Sequence, residues 1–317
     1  MTSWKDSIFT ALKGLAMGIA EVIPGVSGGT IAFITGIYER LLNAIKAILG
    51  PTIFNAFRNG GFAAVWREVD GTFMLFLLLG MATGVVTGVF GVSHLMEHYP
   101  QLLWSFFFGL IVASAILISR HVQQWNITAV LMLLLGTAIA YYITVATPSQ
   151  GIGALWFVFI SGAIAISALM LPGISGSFVL LLMGMYTTVI GSVKNVLQHF
   201  DTKSLIVMAV FAMGCLLGLG TFSRVLTWMF RKYHTQTMAI LTGFMIGSLN
   251  KIWPWRNVLE YRTNSSGERI PFLEKSVLPG QFEGEPMIAG VLLCMAIGFA
   301  VVLLIEKLGT KKDAPHA

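Results

Sequence analysis

Apolar residues dominate this chain in long runs separated by short polar or mixed segments. Six runs approach or reach the length of about 20 residues that a helix needs to cross a bilayer. Two further apolar segments, at 8–49 and 155–193, are each divided into arms by a polar break, and each precedes three of the long runs. The pattern predicts an all-α membrane protein whose long helices cover residues 72–92, 102–119, 127–147, 205–222, 237–252 and 287–305.

Composition strengthens this prediction. Of the 317 residues, 56% are apolar and 11% are charged, whereas soluble domains carry about 25% charged residues. The net charge of +6 is explained by membrane topology and lipid headgroups. We therefore expect an integral membrane protein without a soluble domain and without a nucleic-acid partner.

The two polar breaks have the same construction. The first elbow, residues 24–30, reads PGVSGGT, and the second elbow, residues 172–177, reads PGISGS. Proline removes a backbone donor and glycine loosens a helix. Backbone groups freed in this way within a membrane must find partners in protein or in a water-filled cavity. Each elbow is therefore predicted to form the tip of a helical hairpin. In the first half, residues 5–13 are expected as an amphipathic surface entry and residues 14–23 and 30–49 as the two arms; in the second half, the arms are residues 155–171 and 178–193.

The elbows belong to an internal repeat. Seven identities share an offset of 148 residues, and three glycines farther along share an offset of 134 residues. The repeat divides the chain into halves at 1–150 and 151–317. The first set pairs Pro24, Gly25, Ser27, Gly28, Gly36, Tyr38 and Lys46 with Pro172, Gly173, Ser175, Gly176, Gly184, Tyr186 and Lys194. The second pairs Gly80, Gly84 and Gly109 with Gly214, Gly218 and Gly243.

The number of crossings in each half predicts how the halves are oriented. Three long helices are an odd number, whether the hairpin re-enters the membrane or spans it fully. The second half is then upside down relative to the first, as in many secondary transporters. Basic residues favour cytoplasmic termini, although the segment 251–286, which must then be external, holds five of them.

Inverted halves would bring the two elbows together near the membrane midplane. Helix N-termini attract anions through free amides and a partial positive charge, and serine and threonine add hydroxyl donors. We predict an oxyanion or phosphate seat there; the alternative is that proline and glycine only kink and pack the helices. The seat comprises Ser27, Gly28, Gly29, Thr30, Ser175, Gly176 and Ser177.

Charged residues extend this hypothesis. Glu21 stands in an apolar helix where an intramembrane carboxylate suggests function: it would carry a proton, ligate a cation or pair with an arginine, unless it is solvated. Its repeat mate is Leu169, so the site is asymmetric. Arg120, Arg224 and Lys251 end apolar segments; each alone suits interfacial anchoring, and together they would attract a phosphate. No metal-ligand spacing occurs among the histidines.

At these residues the chain resembles a known family. Residues 18–41 (GIAEVIPGVSGGTIAFITGIYERL), 171–186 (LPGISGSFVLLLMGMY) and 241–255 (LTGFMIGSLNKIWPW) resemble the PopT-type polyprenyl-phosphate transporters, long classed as a family of unknown function. The resemblance implies return of undecaprenyl phosphate from the outer to the cytoplasmic leaflet of a bacterial plasma membrane. It also implies coupling to sodium or protons, for which Glu21 is the candidate, with no other cofactor. Arg120 and Arg224 become candidate phosphate partners, and the oligomeric state stays open.

Two other classes remain as alternatives. Undecaprenyl-pyrophosphate phosphatases also carry a glutamate before one elbow and a PG-x-S elbow in the other half. This chain has Gly176 where they have an arginine, and no histidine follows Ser27 closely, so binding is expected without hydrolysis and no catalytic residue is assigned. An anion channel is the third class, but no ring of charge supports it.

Overall fold

The structure is a computed structural model that describes residues 4–23, 26–147, 151, 153–263 and 269–310. Helices dominate it, with one short β hairpin near the C-terminal end. The helices are α1 (Trp4–Val22), α2 (Gly28–Ile34), α3 (Tyr38–Ile48), α4 (Thr52–Glu68), α5 (Gly71–His98), α6 (Pro100–Ser119), α7 (Ile127–Val145), α8 (Leu155–Met170), α9 (Gly176–Leu182), α10 (Tyr186–His199), α11 (Thr202–Lys232), α12 (His234–Ser248) and α13 (Ile288–Thr310).

Five helices of the described chain are long and apolar enough to cross a membrane: α5, α6, α7, α11 and α13. The sixth predicted crossing, at 237–252, is shorter than expected. Helix α12 ends at Ser248 after 15 residues, and most of its side chains are buried. It packs against α7 and α6, so neighbouring helices cover most of its surface.

The segments around the elbows also differ from prediction. Helix α1 is one continuous helix of 19 residues, not a separate surface entry and a short arm. The arms after the elbows, predicted as single helices over 30–49 and 178–193, are each broken at a glycine with positive φ, Gly36 (71°) and Gly184 (69°). Helices α9 and α10 meet at 113°.

The same hydrogen-bond pattern produces both breaks. The Ile37 amide donates to the Ala32 carbonyl, and the Met185 amide donates to the Leu180 carbonyl, each at 3.0 Å. The Gly36 amide donates to the Phe33 carbonyl, and the Gly184 amide donates to the Leu181 carbonyl. Each pair of bonds forms a Schellman motif, which ends the helix. The repeat read from the sequence is thus also a repeat of local structure.

Close helix packing through glycine repeats as well. A Cβ on Gly80 would lie 2.0 Å from the Ala11 carbonyl oxygen, so α1 and α5 touch backbone to backbone. A Cβ on Gly214 would lie 2.1 Å from the Phe159 carbonyl oxygen, which joins α8 to α11 in the same way. Small residues allow this approach in membranes, where van der Waals packing holds helices together.

The remaining long helices pair across the two halves. A Cβ on Gly109 of α6 would lie 1.9 Å from the Met295 carbonyl oxygen of α13. A Cβ on Gly243 of α12 would lie 2.2 Å from the Leu133 carbonyl oxygen of α7. Gly109 and Gly243 are repeat mates, so in each half the corresponding helix packs against a helix of the other half. The halves at 1–150 and 151–317 are therefore intertwined, while their inverted orientation in a membrane stays a prediction.

The all-α prediction missed two strands. Strands β1 (Arg256–Thr263) and β2 (Arg269–Ser276) form an antiparallel hairpin in which Arg256 faces Ser276. The residues between them, 264–268, lie outside the described part, although their sequence NSSGE is rich in turn formers. Trp253 and Trp255 attach the hairpin through indole N–H groups that donate to the carbonyls of Val277 and Pro286, both at 2.8 Å.

The glycine contacts predict unequal effects of one substitution within α5. In Gly84→Ala, the new methyl group would lie 2.1 Å from the Leu15 carbonyl oxygen, whereas at Gly91 it meets nothing within 4 Å. We expect Gly84→Ala to lower the free energy of unfolding by about 1–3 kcal/mol, and Gly91→Ala to leave it unchanged or raise it. Thermal unfolding of both purified variants checks this, and equal melting temperatures would contradict the packing described.

Candidate functional site

Serine begins the helix after each elbow. Ser27 precedes α2 and its Oγ accepts from the Gly29 amide at 3.1 Å. Ser175 precedes α9 and its Oγ accepts from the Phe178 amide at 3.4 Å. Both are N-caps, which satisfy an amide that has no partner within its helix. Pro24 and Gly25 of the first elbow lie outside the described residues.

The two elbows contact one another directly. Ser27 Oγ donates to the Leu169 carbonyl at 3.1 Å, and the Tyr38 hydroxyl donates to the Met170 carbonyl at 2.6 Å. In the other direction, the Gly173 amide donates to Thr30 Oγ1 at 2.8 Å. We call these three bonds the elbow clasp. Two of them satisfy carbonyls at the C-terminal end of α8 that have no partner within the helix, and the third satisfies an amide of the second elbow. Residues separated by more than 130 positions are thereby held together.

Protein atoms already occupy the first elbow. The Gly28 amide donates to Glu21 Oε1 at 2.6 Å, and the Gly29 and Thr30 amides donate to the side chain and the carbonyl of Ser27. All three of these described amides have acceptors. Glu21 was predicted as a separate ion site, but its carboxylate lies in the seat predicted for a phosphate oxygen. A Cβ on Gly28 would be 2.6 Å from the same oxygen, so glycine leaves room for the carboxylate.

The second elbow is more open. The hydroxyls of Ser175 and Ser177 lie 2.9 Å apart, and Ser177 is exposed. Among the described residues, nothing accepts from the amides of Gly176 and Ser177. Gly173, with φ of +84°, is held against α12, where a Cβ would lie 2.8 Å from the Phe244 carbonyl oxygen. A tightly packed turn therefore presents hydroxyl and amide donors at its end.

The structure places the two predicted arginines away from the elbow clasp. Arg120 is exposed at the C-terminal end of α6. Arg224 is also exposed, and its guanidinium donates to the carbonyls of Gly220 at 2.7 Å and Leu49 at 2.6 Å. No hydrogen bond within the described chain joins either arginine to an elbow.

A different cation lies beside the second elbow. Lys251 Nζ is 4.3 Å from the centroid of the Phe178 ring, and its side chain is 16% exposed. Sequence reasoning gave this lysine only a weak role at a helix end, and it missed Arg256 entirely. The sequence did contain one indication of a role for these residues. The segment 251–286 holds five basic residues, although external segments usually hold few.

Fold and site together define a multi-pass helical membrane protein with discontinuous helices that meet in its interior. The chain belongs to the VCA0040-like family, described as undecaprenyl phosphate translocase-like, whose model matches residues 17–270. The resemblance read from the sequence is thus confirmed.

Two relatives support the assignment. A protein of Vibrio cholerae named polyprenyl-phosphate transporter is 45% identical over 308 residues, which cover 95% of this chain and 97% of that protein. A Staphylococcus aureus protein of the same name is 30% identical over 257 residues, covering 77% of this chain and 85% of that one. No solved structure matches the chain.

The elbow clasp predicts a stability loss when one acceptor is removed. Thr30→Val leaves the buried Gly173 amide without its partner, at a cost of about 1–3 kcal/mol. Thr221→Val is the matched control, because the Thr221 hydroxyl bonds only to carbonyls of its own helix and is exposed. We expect a clearly lower melting temperature and faster hydrogen exchange at Gly173 for Thr30→Val only. Identical behaviour of the two variants would show that the clasp contributes nothing to stability.

Proposed function

We propose that this chain transports polyprenyl phosphate, in the form of undecaprenyl phosphate, across a bacterial plasma membrane. The name of the two relatives supports the substrate class. The observation that carries the proposal is the elbow clasp, which joins two polar breaks inside an otherwise apolar protein. Discontinuous helices of this kind bind substrates in transporters. The lipid returns from the outer to the cytoplasmic leaflet, and both termini are cytoplasmic.

The phosphate binds first at the second elbow. Ser175 and Ser177 supply hydroxyl donors there, and Gly176 supplies a backbone amide beside them. Hydrogen bonds to a charged acceptor are stronger than those between neutral groups. The bonds from these donors to a phosphate are therefore stronger than the present hydrogen bond between the two hydroxyls. The isoprenoid tail stays in lipid, and only the headgroup requires a polar route.

The first elbow joins the phosphate seat when Glu21 leaves it. Ser27, Gly28, Gly29 and Thr30 are buried there, and the Glu21 carboxylate now takes the Gly28 amide. A proton or sodium ion that neutralises Glu21 weakens this bond and releases the amide for the phosphate. An ion shifts an equilibrium between two states only if it binds one of them more tightly. Here the Gly28 amide is bonded either to Glu21 or to the phosphate, and an ion on Glu21 favours the state in which the amide bonds the phosphate. Ion binding and lipid binding thereby become coupled.

Arg120 and Arg224 act at a distance from this seat. Both are exposed, Arg120 at the C-terminal end of α6 and Arg224 within α11, and they attract anionic headgroups to the surface. Attraction of this kind raises the local concentration of a charged ligand.

We propose transport without hydrolysis. Phosphoryl transfer needs positive charge on the transferred oxygens, and the related phosphatases place an arginine at the position of Gly176. Here a Cβ on Gly176 would lie 2.5 Å from the Ala165 carbonyl oxygen, so a side chain at this position requires the backbone to move. Release of inorganic phosphate from a polyprenyl pyrophosphate by the purified protein would favour the hydrolase instead.

Removing both cap hydroxyls is expected to slow transport. In proteoliposomes, the double variant Ser27→Ala, Ser175→Ala should move labelled undecaprenyl phosphate between leaflets at least tenfold more slowly, because each lost hydrogen bond costs roughly 1 kcal/mol or more. The control is Ser119→Ala, Ser167→Ala, since these hydroxyls bond only within their own helices. Equal rates for both double variants would remove the elbows from the phosphate seat.

Glu21→Gln is expected to uncouple transport from the ion gradient. The amide side chain imitates a neutralised carboxylate, so exchange of lipid between leaflets should continue while its acceleration by a sodium or proton gradient is lost. Glu39→Gln serves as the control, because Glu39 is exposed on α3. The measurement is transport with and without each gradient. A Glu21→Gln variant that responds to a gradient as the unmodified protein does would exclude Glu21 from coupling.

A further inference from the structure

Three charged side chains meet between the C-terminal end of α12 and the β hairpin. Arg256 Nη2 lies 2.9 Å from Glu274 Oε2, and Lys251 Nζ lies 3.8 Å from the same oxygen. Arg256 also donates through Nη1 to the Lys251 carbonyl at 2.9 Å. We call Lys251, Arg256 and Glu274 the hairpin cluster. It carries two positive charges and one negative charge.

The hairpin cluster is half-buried and short of acceptors. The side chains of Lys251, Arg256 and Glu274 are 16%, 9% and 26% exposed. Arg256 Nε is buried without an acceptor among the described residues. Lys251 Nζ likewise has no hydrogen bond within the described chain, and its nearest carboxylate oxygen is beyond hydrogen-bond distance. Burying a charge without full pairing is costly, so this arrangement favours the arrival of another anion.

The position of the cluster indicates which anion it receives. Lys251 lies over the ring of Phe178, whose amide is bonded to Ser175 Oγ of the second elbow. Helix α12 also touches Gly173 of that elbow through Phe244 and Ser248, three residues before Lys251. The cluster is therefore adjacent to the second elbow, which forms part of the predicted phosphate seat.

A cavity beside the cluster suits an apolar chain. It has a volume of about 460 Å³ and is lined by Phe108, Leu249, Asn250, Trp253, Ser276 and Leu278, among others. Asn250 precedes Lys251 in the chain, and Ser276 faces Arg256 across the hairpin. The three charged side chains do not line this mainly apolar cavity, but residues next to them in the chain and across the hairpin do, so a lipid with an isoprenoid tail in the cavity would have its headgroup on the side of the cluster.

We propose that Lys251 and Arg256 form a receiving site for the phosphomonoester headgroup of a polyprenyl lipid on the hairpin side, with Glu274 as the carboxylate that the headgroup displaces. The inference rests on the proposed function and adds a cationic partner that neither Arg120 nor Arg224 supplies at the elbows. Lys251 contacts the phosphate, and Arg256 is a positioning residue, because its guanidinium holds both Glu274 and the Lys251 backbone. From this site the headgroup passes to Ser175 and Ser177.

The charge of Lys251 is sensitive to pH near neutrality. Burial, and then the neighbouring Arg256, lower the pKa of Lys251 from 10.5 to about 8, while Glu274 opposes this shift. These are the charged groups that face it among the described residues. Because the pKa is lowered, the ammonium is charged below pH 8 and becomes neutral above it. A phosphomonoester is fully ionised above a pKa of about 6, so affinity should fall between pH 7 and pH 9 through loss of the lysine charge alone.

Binding of undecaprenyl phosphate to the purified full-length protein tests the proposal. Lys251→Met keeps the length of the side chain over Phe178 and should weaken binding roughly 10- to 100-fold at pH 7. Lys251→Arg should restore affinity and abolish the decline toward pH 9. Glu274→Gln removes the competing carboxylate and should tighten binding. Lys232→Met is the matched control, because Lys232 also lies near aromatic rings but is exposed.

The outcomes separate this inference from the proposed function. A purely structural ion cluster would lose thermal stability in Lys251→Met and Glu274→Gln without opposite changes in affinity, and that result would overturn the inference. Inorganic phosphate that binds as tightly as the lipid would assign the site to free phosphate instead. If Ser27→Ala, Ser175→Ala weakens binding but Lys251→Met does not, only the inference fails. If the unmodified protein binds undecaprenol as well as its phosphate, the proposed function fails.

Discussion

The elbow clasp is the interaction on which the rest of this structure depends. Inside a membrane protein, the ends of broken helices cannot leave amides and carbonyls for water to satisfy. Here Ser27 and Tyr38 of the first half satisfy carbonyls at the end of α8, and Thr30 satisfies an amide of the second elbow. The described amides of the first elbow find acceptors within their own segment, whereas the second segment depends on side chains of the first half for these backbone groups. The elbows must therefore stay together, or another partner must replace the contacts when they separate.

The two halves pack their helices in the same way but carry different functional groups at their elbows. Glycine contacts join α1 to α5 and α8 to α11 in the same register, and α6 and α12 each pack on a helix of the opposite half. Within this arrangement, Glu21 and Thr30 correspond to Leu169 and Phe178. A carboxylate consequently closes the first elbow, while the second presents hydroxyls beside Lys251. Similar backbones thus carry a carboxylate on one side and hydroxyl groups beside a lysine on the other.

Several features were predictable because their causes are local. The elbows combine proline, glycine and serine in a sequence that cannot continue a helix, and paired glycines such as Gly84 and Gly218 mark close helix contacts. The breaks at Gly36 and Gly184 were missed, since one glycine in an apolar run does not end a helix unless the following residue also finds a carbonyl. The β hairpin was missed because its strands are short and largely polar, and its basic residues were assessed as topology signals.

The sequence by itself determined the class of protein, the internal repeat and the family, because these depend on residue type and spacing along the chain. It also identified the residues of both elbows. Only the tertiary structure decided how those residues are paired: Glu21 against Gly28, Thr30 against Gly173, and Lys251 against Phe178. The physical reason is that a buried donor or charge takes whichever partner the packing brings within reach. The contacts of Thr30 and Lys251 span more than 70 residues and leave no local pattern in the chain, and the contact of Glu21 depends on how the chain bends between α1 and α2.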